Sequence, residues 1–267
     1  MRRIALTIAY DGTAYSGWQA QDNAVTVEGT LRSAIRKLCG EDVQTIGASR
    51  TDAGVHALGN VAAFDTESPI PGERWKYALN SFLPQDIRIM ESWEAPAAFH
   101  PRFDAHSKRY EYRITTDAVV SPLRCRYVCS VRETLDVATM QEGAKHFPGT
   151  HDYSAFCSAG AQVENKVRTV TLCEVYRDGS EIVIGVEGEG FLYNMVRILA
   201  GTLIEIGRGA KTPESMEAIV ASKDRTQAGP TAPPEGLVLV EIRYGERKTV
   251  PETENIGTST EKVNDNA

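Results

Sequence analysis

Gly47-Ala-Ser-Arg-Thr-Asp-Ala-Gly-Val-His-Ala57 is a polar turn set between two apolar, β-capable runs, Val43 to Ala48 and Asn60 to Phe64. Connections held between strands are where function concentrates, and this one places Arg50, Asp52 and His56 at or beside the turn. Gly54 can adopt positive φ without a steric cost, so the chain can turn sharply and present the Asp52 side chain outward. Two readings stand at this stage. One is an ordinary Asp-Ala-Gly turn with a solvated Arg and a packed His; the other is a presented carboxylate. Arg50 could pair with Asp52 or with an external phosphate.

Outward from this turn the periodicity sets the fold. Before it, Ile4, Leu6 and Ile8 alternate as in a half-buried strand, and Val27, Leu31, Ala34, Ile35 and Leu38 share one helical face. Thr26 can cap that helix, Gly40 can end it, and Glu28 can pair with Arg32 one turn on. After it come a strand at about 60 to 65 and a helix opened by Pro71, with Trp75, Ala78, Leu79 and Phe82 on one side and a stop at Pro84. A strand marked by Ile87 and Ile89 follows. The order is β-α-β-β-α-β, the split βαβ pattern of ferredoxin-like folds.

The second half repeats that order with insertions. Ser107 to Thr115 reads as a strand with Tyr110, Tyr112 and Ile114 on one face; a helix follows Thr134 through Ala144 and Phe147, and strands lie at about 167 to 177 and 181 to 187. A helix from Asn194 to Ile206, another opened by Pro213 and a last strand from Leu237 to Ile242 complete it. The expected fold is α+β, two tandem ferredoxin-like or RRM-like domains spanning residues 1–100 and 101–247, with the boundary near Pro96 to Arg102. Residues 248–267, rich in Thr, Glu and Asn, read as a disordered tail. Loops 150–166 and 223–236 are too long to be mere connections.

Bulk properties exclude several classes. The 267-residue chain is 42% hydrophobic and 24% charged, globular values. Its five cysteines form no CxxC pair, which favours reduced thiols in a cytoplasmic setting. No apolar run is long enough for a signal core or a membrane span. The net charge of −7 is unevenly placed: residues 102–132 carry seven basic side chains against three acidic ones, which leaves about −11 on the remainder. That segment, with Lys108, Arg109, Arg124 and Arg126, is either a solvated strand and loop or a one-sided grip on a polyanion. His151-Asp152 and the His100/His106 pair lack the spacing of a metal site, and Glu187-Gly-Glu-Gly190 has acids where a phosphate cradle needs none.

Arg50-Thr-Asp-Ala-Gly-Val-His-Ala57 resembles the signature of the bacterial tRNA pseudouridine synthase A family. Tyr10-Asp-Gly12 with Tyr15-Ser-Gly-Trp-Gln-Ala-Gln21, Asn80-Ser-Phe-Leu-Pro84, His151-Asp-Tyr-Ser-Ala-Phe156, Phe191-Leu-Tyr-Asn-Met-Val-Arg197 and Thr231-Ala-Pro-Pro234 resemble further blocks in the family's order, from residue 4 to about 244. The resemblance implies the pseudouridine synthase fold, with a catalytic cleft between the halves. It also implies isomerisation of uridine to pseudouridine in the anticodon stem-loop of tRNA, without cofactor or metal, by a homodimer. In that chemistry the N1–C1′ bond breaks, the base rotates and C5 bonds to C1′.

Residue by residue, Asp52 matches the family's nucleophile and Arg197 the arginine that keeps it ionised. Tyr110 matches the tyrosine that contacts a flipped base. On residues alone Tyr110 reads first as a cross-strand core aromatic, and Arg197 could be a solvated helix residue, although its neighbours Val196 and Ile198 are apolar. His56 could orient Asp52, touch RNA, or simply pack. Position 153 is Tyr where family members often carry Phe. A noncatalytic RNA-binding protein with two RRM-like sheets is the competing reading, but no RNP1-type string is present. An Asp-dependent glycoside hydrolase would need a second carboxylate that does not stand out.

Overall fold

The computed structural model describes residues 1–160 and 163–245; the tail expected at 248–267 lies outside them. In β1 (Arg2–Tyr10) the alternating Ile4, Leu6 and Ile8 are fully buried. The helix α1 (Val27–Cys39) buries Val27, Leu31, Ala34 and Ile35, with the Thr26 hydroxyl accepting from the Gly29 amide and Gly40 closing the end at φ 77°. The expected Glu28–Arg32 pair does not form. Glu28 instead accepts from the Ala20 amide at 2.8 Å and the Thr45 hydroxyl at 2.7 Å, so tertiary partners outcompete the exposed helix-face pair.

Next come β2 (Thr45–Gly47) and β3 (His56–Thr66), then a single 3-10 turn after Pro71, α2 (Trp75–Asn80) and β4 (Ile87–Ala95). Trp75 and Leu79 are buried as expected, but Phe82 faces solvent and Leu83 takes the inward place, because the helix ends at Asn80. β3 starts four residues before the expected Asn60, since His56 and Ala57 pair with a strand from the far end of the chain.

The second half contains β5 (Ala105–Thr115), β6 (Cys129–Ser130), α3 (Val137–Lys145), β7 (Gly149–Asp152), β8 (Val167–Asp178), β9 (Glu181–Gly188), α4 (Met195–Gly207), α5 (Ser215–Ser222) and β10 (Leu237–Tyr244). α3 begins at Val137, three residues after Thr134, because Asp136 caps it, accepting from the amides of Ala138 and Thr139. The short β6 and β7 were not expected. The Tyr153 hydroxyl donates to the Phe147 carbonyl at 2.6 Å, which gives the Tyr at this position a use that Phe could not supply.

All ten strands among the described residues form one mixed sheet, in the order β4-β1-β3-β10-β5-β9-β8-β7, with β2 on β3 and β6 on β5. The seam between the halves is the parallel pairing of β3 with β10, at His56 with Val238 and Ala57 with Leu239. α4 is the most buried helix, with Ile198, Leu199, Leu203 and Ile206 inaccessible to solvent. It passes so close to the 223–236 loop that a Cβ on Gly201 would lie 1.8 Å from the Pro230 carbonyl oxygen. Among the described residues no helix is long and apolar enough to cross a membrane.

Candidate active site

Residues 48–55, between β2 and β3, run beside the seam and are tied from both halves. From the first half, the Trp18 amide donates to the Thr51 carbonyl at 3.0 Å, the Tyr10 and Thr51 hydroxyls share a hydrogen bond of 2.8 Å, and the Asn60 amide side chain donates to the Ser49 carbonyl at 3.0 Å. From the second half, Lys108 Nζ donates to the Ala48 carbonyl at 2.6 Å, and the Tyr110 and Ser49 hydroxyls share a hydrogen bond of 2.7 Å. Gly54 completes the turn at φ 78° against Pro234, where a Cβ would approach the proline ring to 2.9 Å. With so many ties the loop presents Asp52 from a fixed backbone.

Arg197, in the first turn of α4, brings Nη1 to 3.5 Å from Asp52 Oδ2, an ion pair at the long end of hydrogen-bonding distance. Its guanidinium is held by two further acceptors, the Ala232 carbonyl on Nε at 2.7 Å and Asn194 Oδ1 on Nη1 at 2.9 Å. The Ala232 amide donates back to the Arg197 carbonyl at 3.0 Å, so the long 223–236 loop fastens this arginine. Asn194 sits in the left-handed region at φ 59° and donates to the Ser158 hydroxyl, which draws in the other long loop. Strained backbone of this kind persists where the surroundings over-determine it. Burial pushes the Asp52 carboxyl above its ordinary range, and Arg197 pulls it back.

Tyr110 lies beside this pair on β5, edge-on to Phe191 with ring centroids 5.1 Å apart. It is only 6% exposed, and burial pushes its hydroxyl up to about 12, so it is a neutral phenol at physiological pH. Lys108, two residues earlier and on the same face, is equally enclosed, and burial lowers its ammonium to about 8.

Asp52, Arg50, Lys108 and Tyr110 all line one cleft of about 940 Å³. Its ionised side chains invert the charge of the whole molecule: Arg32, Arg50, Arg102, Lys108 and Arg168 face only Glu28 and Asp52, on a chain of net charge −7. Asn194 and Phe191 also line it; both fall in or beside the Phe191-Leu-Tyr-Asn-Met-Val-Arg197 block, where only Arg197 was singled out from sequence.

The other candidates lie elsewhere. His56 is buried behind the loop, where its Nδ1 accepts from the Gly12 amide at 3.0 Å and its ring packs against Tyr127. Arg109 points to the opposite face of β5 and pairs with Glu174 at 2.9 Å. Arg124 pairs with Glu181 through Nε at 3.0 Å, and Arg126 is exposed on the same loop. Among the described residues no three His, Cys, Asp or Glu side chains cluster as metal ligands.

A family model described as tRNA pseudouridine synthase matches residues 6–104 and 144–245. The chain is 50% identical over 245 residues to a tRNA pseudouridine synthase A of Ruminiclostridium cellulolyticum, covering 91% of this chain and 100% of that protein. It is also 50% identical over 244 residues to the protein of that name from Acetivibrio thermocellus, and 47% identical over 244 residues to that of Brevibacillus brevis, with 91% and 100% covered in each case. With both halves of the sheet matched and half of all aligned residues shared over the full length of such relatives, this chain belongs to the tRNA pseudouridine synthase family.

Proposed function

We propose that the protein isomerises uridine to pseudouridine in the anticodon stem-loop of tRNA, with Asp52 as nucleophile. The observation that carries this reading is the Asp52–Arg197 pair beside the enclosed Tyr110 in a basic cleft. A nucleophilic carboxylate in a partly dry site must stay ionised, and the fixed guanidinium supplies the opposing charge. Tyr110 and Phe191 offer an aromatic wall to a uridine flipped from the helix, whose unstacking costs a few kcal/mol. The neutral Tyr110 phenol is suited to contact and proton exchange rather than to acting as a standing anion. Arg50 and the other cleft cations suit the phosphates on either side, whereas His56, from its buried position, acts by supporting the loop.

The two halves are read as tandem ferredoxin-like units, 1–100 and 101–247. What supports this is the strand order, since β4-β1-β3 with β2 beyond, and β10-β5-β9-β8, both follow the fourth-first-third-second sequence of that fold. The protein is further read as a cytoplasmic homodimer whose second subunit extends the RNA surface. The 116–127 loop, with Val119 86% and Leu123 83% exposed beside Arg124 and Arg126, is the segment best suited to an interface.

The test is incubation of purified protein with unmodified tRNA transcript and assay for pseudouridine. Asp52→Asn should abolish turnover while leaving tRNA affinity largely intact. A wild-type protein that binds tRNA and forms no pseudouridine would favour the noncatalytic alternative.

A further inference from the structure

The turn from β4 to β5 carries an aromatic side chain in an unusual setting. Phe103 is 75% exposed and stands in the wall of the Asp52 cleft. Lone exposed hydrophobics are common and need no explanation, but three further observations separate this one from them.

First, its ring packs on His100, with centroids 4.2 Å apart and planes inclined by 31°. Second, the Arg102 guanidinium lies over it, 5.8 Å from the ring centroid. Third, the turn is rigid. His100 Nδ1 accepts from the amides of both Arg102 and Phe103 at 3.2 Å, while Asp104 Oδ2 accepts from the His100 amide at 2.8 Å and the Asp104 amide donates to the His100 carbonyl at 3.0 Å. Four hydrogen bonds within five residues hold an apolar ring in water, which costs free energy unless something covers the ring in the working state.

His100, Arg102 and Phe103 all line the cleft, together with the cations that suit phosphate. A flat π-face with a cation beside it, on a polyanion-attracting wall, has the chemistry of a base-stacking platform. The flipped uridine has its own aromatic contact at Tyr110. Flipping it leaves its neighbour in the strand without one stacking partner, and that neighbour needs a substitute surface.

We propose that Phe103, held by the His100–Asp104 turn and flanked by Arg102, is a stacking platform for the nucleobase adjoining the target uridine. The proposal rests on the tRNA-modifying reading above. The platform binds and positions RNA and exchanges no proton or bond with the reacting base.

The test is a double-mutant cycle between Phe103 and that base. Phe103→Ala should raise the KM for tRNA by roughly tenfold or more, with a smaller change in kcat, because stacking is lost in binding. Phe103→Trp should restore most of the loss. Phe103→Leu, apolar but without a π-face, should not. Wild-type protein should lose a similar factor on tRNA with an abasic nucleotide at one of the two positions flanking the target, and at that position the loss should not add to that of Phe103→Ala.

Fully additive losses at both flanking positions, or Phe103→Leu equal to wild type, would overturn the platform. Circular dichroism of each variant separates these outcomes from misfolding, which the exposure of Phe103 makes a remote cause. Absence of pseudouridine with wild-type protein and intact tRNA would instead overturn the activity on which the proposal rests, and it would be visible before any variant is compared.

Discussion

Replacing Lys108 by Met tests how the second half of the sheet holds the loop of the first. Lys108 is 8% exposed, and its ammonium donates to the Ala48 carbonyl at 2.6 Å, four residues before Asp52. Burial first, and the Arg102 charge second, lower its pKa from 10.5 to about 8. That fall corresponds to an unfavourable contribution of about 3 kcal/mol at neutral pH. Met keeps the length of the side chain and removes that contribution, but it leaves the Ala48 carbonyl without its donor, at a cost of ~1–3 kcal/mol.

The two terms nearly cancel, so at pH 7 the variant should lie within about 2 kcal/mol of wild type. The pH dependence then isolates the lysine. Its pKa is lower folded than unfolded, so between about 8 and 10.5 the unfolded chain holds a proton that the folded chain has released, and stability rises with pH across that window. Urea unfolding at a series of pH values should show wild type gaining about 3 kcal/mol on Lys108→Met between pH 8 and 10.5, while every other titrating group cancels in the difference. Parallel curves would refute the reasoning. Turnover should fall by about tenfold in the variant, equivalent to 1.4 kcal/mol, as the Asp52 loop loses one of its two ties to β5.

Arg197→Leu should raise the Asp52 pKa further, since burial already pushes it up and Arg197 opposes that; the acid limb of the pH–rate profile should move to higher pH with a loss of maximal rate. An unmoved limb would mean that another group keeps the carboxylate ionised. Tyr110→Phe retains the ring against Phe191 but loses the Ser49 hydrogen bond, so denaturant titration should show a loss of about 1 kcal/mol. Gly201→Ala forces a Cβ to within 1.8 Å of the Pro230 carbonyl oxygen and should cost about 3 kcal/mol or more in the same measurement, with turnover falling because the displaced loop fastens Arg197. Binding to tRNA should weaken steeply with salt, and Arg126→Glu should reduce the slope of log K against log salt by about 1, whereas the paired Arg124 should contribute less; sedimentation of the same samples tests the dimer.

Local signals carried most of the element pattern. Thr26 and Gly40 bound α1, and the alternation of Tyr110, Tyr112 and Ile114 sets the buried face of β5. The same alternation puts Lys108 on that face and Arg109 on the other, a distinction readable from parity although both stood as RNA contacts. Two of the misses share one cause, which is long-range pairing. Nothing near Glu28 announces Thr45, and nothing near His56 announces Val238, so the helix-face ion pair and the start of β3 were both misjudged. At the site, Asp52, Tyr110 and Arg197 were legible through motif resemblance, and the structure brings them together. The ties from Ser49, Lys108 and Ala232 depend on contacts spanning 35 to 61 positions in the chain and leave no local trace, whereas Asn194 reaches Arg197 from only three residues away.

The seam at β10 has a consequence for synthesis. This strand lies between β3, which follows the Asp52 loop, and β5, which carries Tyr110, yet it is the last strand of the sheet to be made. On the ribosome the first half can close its own strands while β10 is still untranslated, but the wall that spaces the two halves does not yet exist. A nascent chain therefore carries its carboxylate and its aromatic wall long before it carries a working centre, and competence arrives with the final strand.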